Sequence, residues 1–257
     1  MAYLELDFRS VYTNSHQELC VVLPDKCAKE KYPVLWLFHG ANHDCTEWMR
    51  YTSIERYANK YGLAVIMPSI YNGYGMDMEH GAAYFSMISK ELMDVVRYLL
   101  PCLSHKREDN FVAGASMGGY IAYKWALNSP EMFAKAGGFS SAHDIVEIAK
   151  AFIAAAGQRG NYFVHAFGSV ERMENSHNDL IYMIKENLKN GVDMPKFWSL
   201  CGRQDFGFNQ CKGAMEKFKA AGMDITWVED EGEHGYDLWD GYIMPFFDWL
   251  GLKKEGK

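Results

Sequence analysis

The sequence predicts an α/β fold with a mostly parallel central sheet, helices on both faces and at most a small cap. Short, wholly apolar runs of strand length recur along the chain, as in strands buried on both faces. Segments with apolar residues at helical spacing separate them. No repeat, low-complexity tract or Pro/Gly/Ser linker interrupts the alternation, so residues 1–257 are expected to form a single domain.

The elements follow in order. The first thirty residues, with alternation in "ELCVVLP", read as antiparallel edge strands. "YPVLWLF" is the first buried strand. Trp48, Tyr51, Ile54, Ala58 and Tyr61 then mark one helix, with Asp44 and Glu47 as a capping box and Gly62 as its stop. "LAVIMP" is the next strand. Phe85, Ile88, Leu92, Val95, Val96 and Leu99 form the apolar face of a helix that Pro101 ends. "NFVAGA", "FAKAGGFS", "PKFWSLCG" and "DITWVED" read as further strands, with helices over "MGGYIAYKWALNS" and "CKGAMEKFKAAG". Residues 141–193 break the pattern. "IVEIAKAFIAAAG" is helical, and counting "YFVHAF" as a strand would add one too many, so the region is read as a glycine-broken excursion over the strand ends, a small cap.

Composition narrows the function classes. With 49% hydrophobic and 23% charged residues in 257, the chain can bury a sizeable core without staples. The net charge of -7 comes with no Lys/Arg block, which argues against a nucleic-acid or anionic-membrane partner. The start lacks the pattern of a signal peptide, and no apolar run of membrane-spanning length occurs. Cys20, Cys27, Cys45, Cys102, Cys201 and Cys211 are scattered without metal-like pairing, so free thiols in a cytoplasmic protein are expected.

"NFVAGASMGGYIAYKWAL" carries the chemistry. Ser116 stands in G-x-S-x-G between a predicted strand and a predicted helix, the setting of a nucleophile elbow. A tight turn alone could use the same residues, but a sharp elbow explains Gly114 and Gly118, and it brings helix N-terminal amides to the serine. A hydroxyl needs a base, and the base needs an orienting acid. On this architecture they follow the serine beyond strand ends: Asp205 after "LCG" and His234 after "DITWVED". Asp230 competes for the acid's place. His39, His43, His105, His143, His165 and His177 are weaker candidates for the base, and the i, i+4 spacing of His39 and His43 lacks the H-E-x-x-H pattern, so no metal is expected. For a developing oxyanion the donors are the amides of Met117 and of Ala41, beyond Gly40 in the loop after "VLWLF". Trp48, Tyr71, Tyr74, Tyr84, Phe206, Phe208 and Tyr236 are pocket candidates, with Trp48, Tyr74 and Phe206 preferred. Aromatics make up 15% of the chain, however, and most of them must pack the core.

"LFHGANHDCTEWMRYTSIERYANKYGLAVIMPS", "GASMGGY", "LCGRQDF" and "GEHGYDLW" together resemble the tributyrin esterase and esterase D group of α/β-hydrolases. That group includes feruloyl and acetyl-xylan esterases and S-formylglutathione hydrolases. The resemblance runs from about residue 32 to 247; "HGANHD" departs from it by lacking a second glycine, and residues 141–193 align poorly. It implies the α/β-hydrolase fold and a serine carboxylesterase acting on short-chain acyl or aryl esters, with Ser116, Asp205 and His234 as triad and Ala41 and Met117 at the oxyanion hole. It implies a small-molecule ester substrate and no cofactor, and leaves a homo-oligomer open. The alternatives are an S-formylglutathione hydrolase-like thioesterase and a non-catalytic ligand-binding homologue.

Overall fold

Strands β3 (Val34–Phe38), β4 (Ala64–Pro68) and β5 (Asn110–Ala115) consist entirely of buried residues, which is why they read as unbroken apolar runs. With β6 (Lys135–Phe139), β7 (Lys196–Gly202) and β8 (Ile225–Asp230) they lie side by side and parallel in the order β4-β3-β5-β6-β7-β8. On the β4 edge the sheet continues antiparallel through β2 (His16–Leu23) and β1 (Ala2–Arg9), as the alternation in "ELCVVLP" predicts. The structure, a computed structural model, describes residues 1–25 and 30–254. Cys20, Cys45, Cys102, Cys201 and Cys211 form no disulfide, and Cys27 lies outside the described residues. Among the described residues no helix is long and apolar enough to cross a membrane.

Strand side chains alternate between two cores. Val34, Trp36 and Phe38 pack on one face with α5 (Met117–Asn128), and Leu35 and Leu37 pack on the other. That second face is covered by α1 (Glu47–Tyr51), α2 (Ile54–Tyr61) and α11 (Tyr236–Trp249). The sequence reading corrects in two places here. The predicted helix over residues 44–62 is two helices, because the Ser53 amide at the head of α2 donates to Asp240 Oδ1 of α11 at 2.8 Å. The capping box does not form either: the Asp44 carboxylate accepts from the Thr46 amide and hydroxyl, and Glu47 turns to His43. Gly62 ends α2 as predicted, at φ 60°.

The next helix is continuous in space but not in geometry. A π turn over Ile88–Leu92 joins α3 (Tyr84–Met87) to α4 (Met93–Leu99). Its wider winding rotates the apolar face, so that Met93 and Val96 are buried while Leu99 is exposed. Residues 141–193 form α6 (Ile145–Ala155), α7 (Gln158–Phe167), α8 (Val170–Met173) and α9 (Leu180–Lys189), and "YFVHAF" belongs to α7. The polar, glycine-broken character expected of this excursion holds at Gly157, which joins α6 to α7 at φ 89°, but the inner face is apolar. The last buried helix of the face shared with α5 is α10 (Phe208–Ala220).

Lys124, in the middle of α5, is fully buried. Its ammonium donates to the Gly75 carbonyl at 2.7 Å and lies 4.1 Å over the Phe85 ring, tying α5 to the loop after β4. Burial lowers its pKa from the ordinary lysine value to about 7, against the opposing pull of Asp77. The unfolded chain therefore binds this proton in a window where the folded one does not, and stability rises with pH from about 7 toward about 10.4. Lys124→Met is expected to remove that slope. In urea unfolding, its stability relative to the parent should be highest near about pH 6 and decline toward about pH 10; a difference constant with pH would contradict the burial penalty.

Candidate active site

The carboxyl ends of β3, β5, β6, β7 and β8 meet at one edge of the sheet, where open α/β sheets place their ligands. Ser116 follows β5 directly, at φ 53° and ψ -115°, a left-handed conformation that only a tightly constrained turn imposes on a serine. Its amide donates to the Phe139 carbonyl at 2.8 Å, and its carbonyl accepts from the Ala142 amide at 3.1 Å. The flanking glycines are sterically required. A Cβ on Gly114 would lie 2.3 Å from the Gly118 carbonyl carbon, and one on Gly118 would lie 2.5 Å from the Phe38 and His39 oxygens.

The loop after β3 is pinned beside the serine. Ile70 donates its amide to His39 Nε2 at 2.9 Å, which leaves Nδ1 to donate to the Gly40 carbonyl at 2.6 Å. Burial lowers the His39 pKa to about 4, so the ring is neutral and its tautomer is fixed. Asn42 and Asn72 then exchange hydrogen bonds, the Asn42 amide to Asn72 Oδ1 at 2.7 Å and Asn72 Nδ2 to Asn42 Oδ1 at 3.1 Å. Gly40, Ala41, Ser116 and Met117 consequently border one cavity of about 620 Å³. The Met117 amide opens α5 and has no acceptor within its own helix.

His234 borders the same cavity and Asp205 stands behind it. His234 Nδ1 donates to Asp205 Oδ2 at 2.8 Å, leaving Nε2 as the nitrogen available to the serine. The Asp205 carboxyl is fully enclosed. Burial alone would raise its pKa, but hydrogen bonds from His234, the Ser140 hydroxyl and the Gly207 amide outweigh it, and the carboxyl stays below its ordinary range. Asp230 goes elsewhere: it accepts from the Tyr242 hydroxyl and the Glu231 amide. His143 is buried and neutral, its pKa lowered to about 3 by burial, with Nε2 at 3.0 Å from the Ser199 hydroxyl. His105, His165 and His177 do not border the cavity.

Of the preferred pocket residues, Tyr74 and Phe206 line the cavity and Trp48 does not. Trp48 is core: its indole donates to the Phe38 carbonyl at 3.0 Å while the ring packs edge-on against Phe139 and Tyr236. Tyr236 lines the cavity; Tyr71, Tyr84 and Phe208 do not. Phe206 is 84% exposed, with its ring 4.5 Å from that of His234.

Two groups escaped the sequence reading. Ser140, at the end of β6, is held at φ 48°; its Oγ accepts from Trp239 Nε1 at 3.0 Å, which directs its one proton toward Asp205. A serine closing the strand next to the one that ends at Ser116 was its only signal. Ile148, Phe152 and Phe163 of α6 and α7 form an apolar wall with Tyr74. Their helical spacing was visible, but the direction of that face was not.

Residues 10–199 match the model of the family described as "Putative esterase". The chain belongs to this esterase family. An acetyl esterase of Caldicellulosiruptor saccharolyticus is 29% identical over 97% of this chain and 98% of its own. The solved structure of FphF, a fluorophosphonate-binding serine hydrolase of Staphylococcus aureus, superposes with a TM-score of 0.89 at 30% identity, covering 98% of this chain and 99% of that one. The S-formylglutathione hydrolase FrmB of the same organism gives 0.85 at 31% identity, with 97% and 98% covered. This esterase is therefore a serine carboxylic ester hydrolase of the α/β-hydrolase fold. The family match stops short of Asp205 and His234, so the geometry above, not the match, singles out those two residues.

Proposed function

We propose that this esterase cleaves short-chain acyl or aryl esters through an acyl-serine intermediate, with Ser116 as nucleophile, His234 as base and Asp205 as orienting acid. The observation that carries the reading is the 2.8 Å bond from His234 Nδ1 to a buried Asp205, with Ser116 in a left-handed elbow on the same cavity. His234 Nε2 takes the Ser116 proton as Oγ attacks the ester carbonyl carbon. The amides of Ala41 and Met117 receive the developing oxyanion. The tetrahedral intermediate collapses, with His234 returning the proton to the leaving oxygen, and a water activated by the same nitrogen then releases the acid. Residues 1–257 act as one hydrolase unit in this scheme, with α6–α9 as a small cap, and the described thiols, which form no disulfide, fit a reducing, cytoplasmic setting.

The order of events divides the cavity. The leaving oxygen must face His234, so the acyl chain points away from it, toward Tyr74, Ile148, Phe152 and Phe163. Phe163 lies 5.0 Å from Tyr74 and stacks on Phe152 at 5.4 Å, and in this scheme the three rings stop the acyl chain at that end. Each methylene against such a wall contributes about 0.8 kcal/mol until the wall is reached. Among p-nitrophenyl esters, kcat/KM should peak between acetate and butyrate and fall beyond roughly eight carbons, and Phe152→Ala should move the peak to longer chains. A parent optimum at decanoate or longer would exclude the closed wall. The 31% likeness to FrmB favours a second reading, thioester hydrolysis; competition between an oxygen ester and a thioester of the same acyl group separates the two.

A further inference from the structure

The cavity holds a second histidine–carboxylate pair that the hydrolytic steps do not use. His43 Nδ1 lies 2.9 Å from Glu47 Oε1. The Glu47 side chain is only 6% exposed while His43 is 40% exposed and borders the cavity. The second carboxylate oxygen of Glu47 makes no hydrogen bond of regular geometry among the described residues, and the Tyr236 hydroxyl is set against the same carboxylate. A carboxylate sunk this deep costs stability, and holding one cavity-facing ring is its visible return. Burial, then the neighbouring Glu47 charge, raises the pKa of the Tyr236 phenol, so that side of the pair presents no further anion. A carboxylate can only accept, so Nδ1 donates to it, and Nε2 is the ring atom left to hydrogen-bond a ligand in the cavity that His43 borders.

Position says which part of a substrate meets that nitrogen. His43 lies on the leaving-group half of the cavity, its ring 6.4 Å from Tyr236, two residues beyond His234. It is close to the reacting centre: a Cβ on Gly40 would sit 3.5 Å from His43 Cδ2 and 3.7 Å from Ser116 Cβ. The apolar wall of α6 and α7 belongs to the acyl half.

We infer that His43, oriented by Glu47, is a leaving-group subsite that hydrogen-bonds a hydroxyl carried by the alcohol part of the ester. The inference rests on the acyl-serine reading above, because that reading defines the leaving-group side. The pair then favours esters whose alcohol carries a hydroxyl near the ester oxygen over esters of simple alkanols. Because His43 and Ser116 both approach Gly40, the hydroxyl it would meet is one near the ester oxygen.

Two isosteric esters test it: 2-hydroxyethyl acetate and n-propyl acetate. The parent should favour the hydroxylated ester in kcat/KM by about tenfold, the scale of one hydrogen bond in a partly enclosed site. His43→Leu should bring that ratio close to unity by losing the first substrate only, and His43→Gln, which keeps a side chain able to hydrogen-bond a hydroxyl, should retain part of it. Fluorophosphonate labelling of Ser116 should proceed in His43→Leu at the parent rate, which shows the reacting centre intact. An unchanged ratio in a normally labelled His43→Leu overturns the subsite and leaves the esterase reading standing, as does an equal loss on both esters. A parent that neither labels nor hydrolyses either ester fails the esterase reading itself.

Discussion

Ser116→Ala is expected to lower kcat by about four to six orders of magnitude while the protein stays folded, because members of a triad act as a unit. The elbow itself should survive. Alanine at φ 53° carries the same backbone strain as the serine it replaces, and the anchoring bonds from the Ser116 amide to Phe139 and from the Ala142 amide to the residue 116 carbonyl are backbone bonds. What disappears is the Oγ that the proposed mechanism acylates. The two measurements are turnover of p-nitrophenyl acetate and covalent labelling by a fluorophosphonate, with circular dichroism as the check on folding. Turnover within tenfold of the parent in a folded variant would remove Ser116 from the mechanism.

Asp205→Asn should cost about 10³ to 10⁴ in kcat. The carboxylate now accepts from His234 Nδ1 at 2.8 Å and from the Gly207 amide at 2.7 Å. An asparagine that keeps the Gly207 bond through its carbonyl turns its amide group toward Nδ1. The imidazole then places its proton on Nε2, where it can no longer take one from Ser116. Asp230→Asn is the matched control. Its carboxylate serves Tyr242 and Glu231, so its kcat should stay within a few-fold of the parent. Reversed effects would transfer the acid's role to Asp230.

The parts legible in the sequence are those whose signal is local. Val34–Phe38 and Asn110–Ala115 announce themselves because a strand covered on both faces has no polar side to show. Ser116 is legible because Gly114 and Gly118 are the only residues that fit where β5, β3 and α5 press together, so the steric demand is written into the motif. Trp48 misleads for the opposite reason. A tryptophan beside the oxyanion loop reads equally well as pocket or core, and only the packing of Phe139, Tyr236 and Trp239 around it decides for the core. The break between α1 and α2 depends on Asp240, nearly two hundred residues away, and no window of sequence contains that cap.

By itself, then, the sequence determined the alternation of strands and helices, the elbow, and the order in which acid and histidine follow it. Those features rest on periodicity, on glycine sterics and on the rule that functional loops follow parallel strands. Only the tertiary structure set Asp205 rather than Asp230 against His234, turned α6 and α7 into an apolar wall, and brought Ser140 to Asp205 and the His43–Glu47 pair to the cavity. Each of these turns on where a side chain points after segments distant in the chain have packed. A residue's type and neighbours limit its chemistry, but its partner is chosen by the fold.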